Sequence, residues 1–384
     1  MISQVKAERG RVFLRKLDYW FGVPLLGLAS IFRSKKAKPE HFQSIGICIF
    51  AAIGDALLAS ALIADIKKAY PDSKITIFAT KANSGVFGLI SGFDELVAVP
   101  ITSPLAALKC MRAHPVDVLI DSSQWPRIGA LLAAGSRAKY TIGFKTEDQS
   151  RHFAYDFCVE HSPKQHELDN FRALLTPLGI SPNSMPPINL SKLKGVNCSN
   201  IKHPYVVLHP WASGTHFELR EWPIESWLEL SKRLLGSGYG VVISGGPGDI
   251  DRTNTLISLI QKLEHAAPEN LLSLAGKADL LTTAAYLNGA AGVVSVNTGT
   301  MHLAALLGRP LAALHGPTNP DRWGPIYPDG KNEQNSLILG PGAKEGGAYL
   351  NLGFEYPNNL TYLMDQISVD AVVAALNKLS LNIQ

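Results

Sequence analysis

From Ser44 onward the chain alternates short apolar runs with helical periodicities, and it does so twice. Apolar runs at 45–50, 74–78, 96–99, 116–120 and 140–144 are separated by stretches such as Leu58, Leu62, Ile66 and Tyr70, which step four residues apart along one helical face. A strand that is apolar throughout must be covered on both faces, and helices between successive strands do that only for a parallel sheet. Residues 181–203, with Ser181-Pro182-Asn183 and Pro186-Pro187, interrupt the pattern and read as a boundary. Alternation then restarts, with strand runs at 205–208, 240–244, 271–274, 292–296 and 311–314 and helical runs at 224–235, 250–263 and 280–287. A further helix follows Asn297 and is expected to stop at Gly308, with Pro310 just beyond. The expected fold is α/β, two Rossmann-like domains whose parallel sheets face each other across a cleft. A length of 384 residues suits two such cores.

Charge and cysteine usage narrow the function. Cys48, Cys110, Cys158 and Cys198 are widely spaced, with no metal-ligand or CxxC pattern, so reduced thiols and a cytoplasmic setting are expected. The net charge of +4 is concentrated at the front: residues 1–40 hold nine Lys/Arg against three Asp/Glu, so the rest of the chain is slightly acidic. Nucleic-acid binding by the body is therefore excluded as a working reading. The basic arm flanks the apolar run 19–32, which is shorter than the ~20 residues of a spanning helix and lacks the cleavage site of a signal peptide. Aromatic and leucine residues between cations suit a segment lying on an anionic membrane surface; a helix docked on the protein's own body suits them equally. Because the sheet pattern starts only at Ile45, residues 1–40 are expected to be dispensable for folding.

Ligands of open parallel sheets bind outside the carboxyl ends of strands, which singles out four loops. After the first run come Gly54 and Asp55, the latter either an N-cap or a general base. After residue 208 come Ser213 and Arg220, a small-residue loop and a cation suited to phosphate. After residue 243 come Gly245, Gly246 and Asp249, either a plain turn or a nucleotide approach with an acid for ribose hydroxyls. After residue 296 come Asn297, Thr298, Gly299 and Thr300, with His302 on the first helical turn. Their free N–H groups and the helix dipole would favour a diphosphate, unless an ordinary cap uses them up.

The order of these blocks is similar to that of glycosyltransferase family 9, the ADP-heptose:lipopolysaccharide heptosyltransferases of GT-B fold. The motifs that carry the resemblance are Ile53-Gly54-Asp55-Ala56-Leu57-Leu58, His209-Pro210, Arg220-Glu221-Trp222-Pro223, Leu274-Ala275-Gly276-Lys277, the run from Asn297 to Gly308, and Gly316-Pro317-Thr318-Asn319-Pro320-Asp321-Arg322-Trp323-Gly324-Pro325. The resemblance implies transfer of a sugar from a nucleotide diphosphate to an acceptor hydroxyl with inversion, without a metal ion or other cofactor. Asp55 then becomes the catalytic base. Arg220, Ser213, Thr298, Gly299 and Thr300 hold the donor diphosphate, and Asp249, Gly246, Asn297 and His302 hold the nucleoside and sugar. Arg220 stands where the family commonly has lysine. Asn297 stands where it usually has aspartate, so Asn297→Asp is expected to preserve or raise activity if the donor is ADP-heptose, and to lower activity on the enzyme's own donor if that is another sugar.

In the first half, Gln124 and Arg127 occupy a stretch where the family often has a glutamine and a lysine near an acidic acceptor. The implied partners are a nucleotide-sugar donor such as ADP-heptose and an anionic glycolipid acceptor, with possible membrane contact through residues 1–40 and no nucleic acid. The implied location is cytoplasmic, peripheral on the inner membrane. The implied divisions are a basic amphipathic arm (1–43), an acceptor domain (44–190), a nucleotide-sugar domain (203–350) and a helical C-terminal segment (351–384). Three other readings remain open, the first a family member that uses a different donor sugar. A nucleotide-sugar-binding protein of the same fold would lack the base, yet Asp55 is present. A nicotinamide dehydrogenase would carry GxGxxG after a strand, and none is found.

Overall fold

A computed structural model describes residues 12–201, 204–214, 217–340 and 363–384. Residues 1–11 of the basic arm, Thr215 in the loop after residue 208, and 351–362 of the C-terminal segment lie outside the described residues. The chain forms two compact units, one running up to Asn189 and the other from Leu190.

The first unit comprises α1 (Val12–Phe32), β1 (Ser44–Ile49), α2 (Ile53–Ala59), α3 (Ala61–Ala69), β2 (Lys74–Ala79), β3 (Glu95–Ala98), α4 (Pro104–Ala113), β4 (Val118–Asp121), α5 (Arg127–Gly135), β5 (Tyr140–Lys145), β6 (Phe157–Glu160) and α6 (Glu167–Ala173). Its six strands are parallel in the order β3-β2-β1-β4-β5-β6. Ile47 lies between Ile77 and Ile120 in register, and all three are fully buried. The helix expected through Leu58, Leu62 and Ile66 is interrupted at Ser60, whose Oγ donates to the Leu57 carbonyl at 2.6 Å in competition with the helical ladder.

Residues 12–43 of the basic arm are not a separate appendage. α1 packs on α5 and belongs to the first unit. Its Leu26 is fully buried, which stabilises by roughly 1.5–3 kcal/mol. Asp18 accepts from the backbone N–H groups of Arg127, at 2.9 and 3.1 Å, and Ile128, at 3.2 Å. A residue more than a hundred positions away thus caps α5, a contact of about 1 kcal/mol. Gly22 permits the close approach, since a Cβ there would lie 2.8 Å from Arg127 Cβ. Just past the helix, the Arg33 guanidinium reaches Thr141 Oγ1 and Asp156 Oδ2, both at 2.8 Å. The expectation that residues 1–40 are dispensable for folding is therefore replaced.

The second unit contains β7 (Tyr205–His209), α7 (Ile224–Gly236), β8 (Gly240–Ile243), α8 (Ile250–Ile260), β9 (Leu271–Ser273), α9 (Leu280–Gly289), β10 (Gly292–Val296), α10 (Gly299–Leu306), β11 (Leu311–Leu314), α11 (Pro320–Trp323), α12 (Asn332–Asn335), β12 (Ser336–Leu339) and α13 (Val369–Lys378). These strands are also parallel, in the order β12-β11-β10-β7-β8-β9. α7 buries Trp227, Leu230 and Leu234 along one stripe. α10 buries every residue from Met301 to Leu306, His302 included, as a helix held inside the core must. Leu307 is its C-cap, followed by Gly308 at φ +70°, where a left-handed residue closes the last turn. The edge strands β6 and β12 were not anticipated from the sequence.

Candidate active site

In an open parallel sheet, the crevice forms where successive strands depart in opposite directions from a central pair. In the second unit that point lies between β7 and β10. Asn297 and Thr298 follow β10 directly. Thr298 is extended (φ −150°, ψ 177°) and makes no side-chain cap bond to α10. Its buried Oγ1 has no hydrogen-bond partner among the described residues. The amino end of α10, with Gly299 and Thr300 in its first turn, therefore offers N–H groups and the positive end of the helix dipole without a side-chain acceptor from Thr298. His302 is on this turn but is only 4% exposed, so its place is within the packed interior rather than at the mouth. Asn297 Nδ2 lies 3.2 Å from the Trp323 carbonyl oxygen and 3.1 Å from His315 Nδ1. Burial pushes the His315 ring down to about 4, so it is neutral near pH 7.

The loops after β7 and β8 converge on Arg252, a residue that the sequence reading missed. Its guanidinium pairs with Glu221 Oε1 at 2.6 Å and with Asp249 Oδ1, and it lies over the rings of Trp211 and Phe217 at 4.6 and 5.1 Å. The spacing Asp249-to-Arg252, one helical turn, was the available signal. Asp249 Oδ2 also accepts from Gly246 N at 2.7 Å, which fixes the Gly-rich turn. Glu221 accepts from Ala212 N at 2.7 Å, yet burial pushes its carboxyl up to about 7 against the pull of Arg252. His209 Nδ1 is 2.9 Å from Ser244 Oγ, and burial lowers this ring to about 4. Arg220 folds back so that Nη2 donates to the Ser213 carbonyl. Ser213 and Arg220 thus share one loop, as do Gly246 and Asp249.

In the first unit the switch point lies between β1 and β4, and Asp55 stands on the first turn of α2 after β1. Its Oδ2 accepts from Ala52 N at 3.1 Å, so Ala52 and not Asp55 is the N-cap of α2, and Asp55 closes the first turn from the third helical position. Gln124 and Arg127 follow β4, but neither is an open acceptor contact. Gln124 is 4% exposed and donates through Nε2 to Glu167 Oε1 at 2.6 Å. Arg127 is buried, ion-paired to Asp18 at 3.2 Å, and stacked on Tyr19. The expected acceptor-binding cation is committed to holding α1. A buried group of Asp121, Arg151 and Tyr155 closes the same strand end, with Asp121 Oδ2 accepting from Arg151 Nη2 at 2.8 Å and from Tyr155 Oη at 2.7 Å.

Residues 106–343 match the family described as glycosyltransferase family 9 (heptosyltransferase). The chain belongs to that family. Among similar proteins, lipopolysaccharide heptosyltransferase 2 of Salmonella typhimurium is 34% identical over 71% of this chain and 83% of its own length. Lipopolysaccharide core heptosyltransferase OpsX of Haemophilus influenzae is 24% identical over 89% of this chain and 98% of its own. The solved structure of Escherichia coli ADP-heptose lps heptosyltransferase II shares the fold, with a TM-score of 0.69 at 20% identity, covering 88% of this chain and 98% of that one. The family 9 chain is thus a glycosyltransferase of GT-B type. The matched segment takes in Arg220, Asp249, Arg252 and the Asn297–His302 turn, and it leaves Asp55 and α1 outside.

Proposed function

We propose that the chain is an inverting, metal-independent heptosyltransferase that moves heptose from ADP-heptose onto a lipopolysaccharide core or a related anionic surface glycan. The observation that carries this reading is the amino end of α10, uncapped by Thr298 at the switch point of the second sheet. Backbone N–H groups at Thr298, Gly299 and Thr300 receive the diphosphate there, and Arg220 swings from the Ser213 carbonyl to the phosphate oxygens. Such donors are fixed before the sugar–phosphate bond breaks and stabilise the growing negative charge. Asp249 with Gly246 contacts the nucleoside, and Asn297 contacts the sugar. His302 supports the turn from inside.

Asp55 takes the proton from the acceptor hydroxyl as that oxygen attacks the anomeric carbon. The transition state has oxocarbenium character, as in other glycosyl chemistry. A base contributes ~10²–10⁴-fold to such a step. The hydrogen bond from Ala52 N to Asp55 favours one second reading, a nucleotide-sugar-binding protein without transfer, because it gives Asp55 a purely structural task. Donor and acceptor chemistry together support a cytoplasmic enzyme working peripherally on the inner membrane, where a nucleotide sugar meets a glycolipid.

The test is calorimetric titration with ADP and UDP, followed by incubation with ADP-heptose and a deacylated core acceptor, with the anomeric configuration of the product read by NMR. ADP binding and an inverted product are expected. Failure of both nucleotides to bind to folded protein overturns the donor site, and binding without product leaves the non-catalytic reading.

A further inference from the structure

α1 has two apolar faces, and among the described residues only one of them is packed against the protein. Gly22, Leu26 and Arg33 share the stripe that meets the first unit. On the opposite side Trp20, Pro24, Leu28 and Ile31 form a second stripe at helical spacing, with Phe21 and Leu25 beside it. All six face solvent; Trp20 is 71% and Ile31 76% exposed. A surface helix ordinarily turns charged residues outward, and no charged residue stands on this outer stripe. Exposed lysines sit at its ends instead, Lys16 before it and Lys35, Lys36 and Lys38 just after it.

α4 stands on the same side of the sheet. Leu26 of α1, Ala107 and Met111 of α4, and Ala130, Leu132 and Ala133 of α5 belong to one buried core, so α1 and α4 both cover α5. Along α4 runs a groove of about 420 Å³ lined by Leu105, Leu108, Lys109, Arg112, Ala113 and Arg137. Leu105 is 84% exposed, the three cations are exposed, and no acidic side chain among the described residues lines the groove. The segment after α1 reaches this place: Lys36 Nζ donates to the carbonyl of Ala138, next to Arg137.

We infer that α1 and the α4 groove form one docking surface for an anionic phospholipid bilayer, with the outer stripe of α1 lying in the interface and Lys109, Arg112 and Arg137 meeting lipid phosphates. This deepens the glycolipid-acceptor reading by naming the face on which the enzyme rests. The chemistry fits a bilayer better than a protein partner. Trp and Tyr sit at the headgroup level, aliphatic side chains sit below it, and lysines at the ends answer the negative surface potential. No described helix is long and apolar enough to cross the membrane, so α1 lies on the bilayer.

The test uses the full chain and vesicle flotation, with vesicles of phosphatidylglycerol mixed with phosphatidylcholine and vesicles of phosphatidylcholine alone. The expected result is at least about tenfold tighter binding to the anionic vesicles. The double variant Trp20→Glu/Ile31→Glu should lose about tenfold or more on both vesicle types. Lys109→Glu/Arg137→Glu should lose the preference for phosphatidylglycerol. Both variants should keep the parent melting temperature and the parent rate on a deacylated, soluble acceptor. Parent-like flotation of the first variant overturns the inference. So does a parent dimer in sedimentation that this variant converts to monomer, because the face would then be covered by a second copy. Flotation as expected in a protein that transfers no heptose leaves the docking surface standing and removes the transferase reading instead.

Discussion

Asn297 donates through Nδ2 to the carbonyl oxygen of Trp323 at 3.2 Å. A carbonyl only accepts, so this contact sets which way the amide points and leaves Oδ1 on the other side. The neutral, buried His315 ring lies against the same nitrogen. An aspartate in this place would turn a carboxylate oxygen toward the Trp323 carbonyl, with no protonated imidazole to offset the repulsion. The sequence alone suggested that Asn297→Asp restores the family's usual residue at no cost if the donor is ADP-heptose. The contact with Trp323 reverses that expectation. Asn297→Asp should lower kcat/KM at pH 8 by at least about tenfold, and activity should recover in part toward pH 5 as the new carboxyl takes a proton. A steady-state pH profile of parent and variant checks it.

Asp55 is asked to be a cap and a base at once. Asp55→Asn keeps an oxygen for Ala52 N, so the cap survives. Loss of the proton acceptor should cut kcat by ~10²–10⁴-fold while ADP affinity and Tm stay near the parent values. Asp55→Ala should lower both kcat and Tm. Single-turnover transfer measured beside thermal melts separates the two roles, and normal turnover by Asp55→Asn would assign the residue to capping alone.

Much of this organisation was legible in the residues, for a physical reason. A strand buried on both faces has to be apolar throughout, and Ile45–Ile49 and Val293–Val296 announce themselves that way. The Phe157–Glu160 and Ser336–Leu339 strands sit at sheet edges, where one flank is unpaired and mixed polarity is tolerated. The loops that matter were found because strand ends in a parallel sheet point to one side. What escaped depends on contacts between distant positions. Asp18 and Arg127 are 109 residues apart, and nothing local in Trp125-Pro126-Arg127 shows that the guanidinium is already engaged. The Arg252 hub escaped because an arginine in the first turn of a helix usually faces water. Ser60 escaped because one serine inside a good helical stripe looks harmless until its hydroxyl bonds back to Leu57.

α1 should matter for stability as well as for docking. Leu26→Ala removes a fully buried side chain and should cost roughly 2–5 kcal/mol. Asp18→Ala removes the cap of α5 and the partner of the buried Arg127 and should cost at least ~1 kcal/mol. Deleting residues 1–40 should cost more than either. Urea unfolding of the three proteins provides the comparison; an unchanged midpoint after the deletion would mean that α1 is not part of the first unit's fold.

Buried His315 and partly buried Glu221, both in the second unit, give opposite pH signatures. The His315 ring has its folded pKa lowered to about 4 from 6.5. The unfolded chain therefore binds more protons between those values, and stability falls as pH drops from 6.5 to 4. Glu221 has its folded pKa raised from 4.5 to about 7. Here the folded state holds the proton more tightly, so the contribution is full below 4.5 and lost as pH rises toward 7. His315→Gln should flatten the acid limb of a Tm-against-pH curve. Glu221→Gln, which keeps an acceptor for Ala212 N, should gain on the parent as pH rises from 4.5 to 7. Curves for the two variants that run parallel to the parent in these windows would contradict the assignment.

Arg220 carries the donor prediction. At rest its Nη2 donates to the Ser213 carbonyl, and a neutral carbonyl is a weaker partner than a diphosphate oxygen. Binding should therefore exchange one bond for a stronger one and draw the loop toward α10. Arg220→Ala should weaken ADP by about 1.5–3 kcal/mol, the range for a hydrogen bond to a charged group, or on the order of 10- to 150-fold in Kd. Because charge on the diphosphate grows as the sugar leaves, kcat should fall as well. Arg220→Lys keeps the charge, loses the fork, and should recover affinity more than rate. Thr298→Val provides the second arm. It removes the buried Oγ1 that lacks a partner among the described residues and leaves the α10 backbone in place, so any loss of ADP affinity should be smaller than for Arg220→Ala. Calorimetry at two salt concentrations completes the test. The affinity difference between parent and Arg220→Ala should shrink as salt rises, and parent-like affinity in the alanine variant at low salt would remove Arg220 from the diphosphate site.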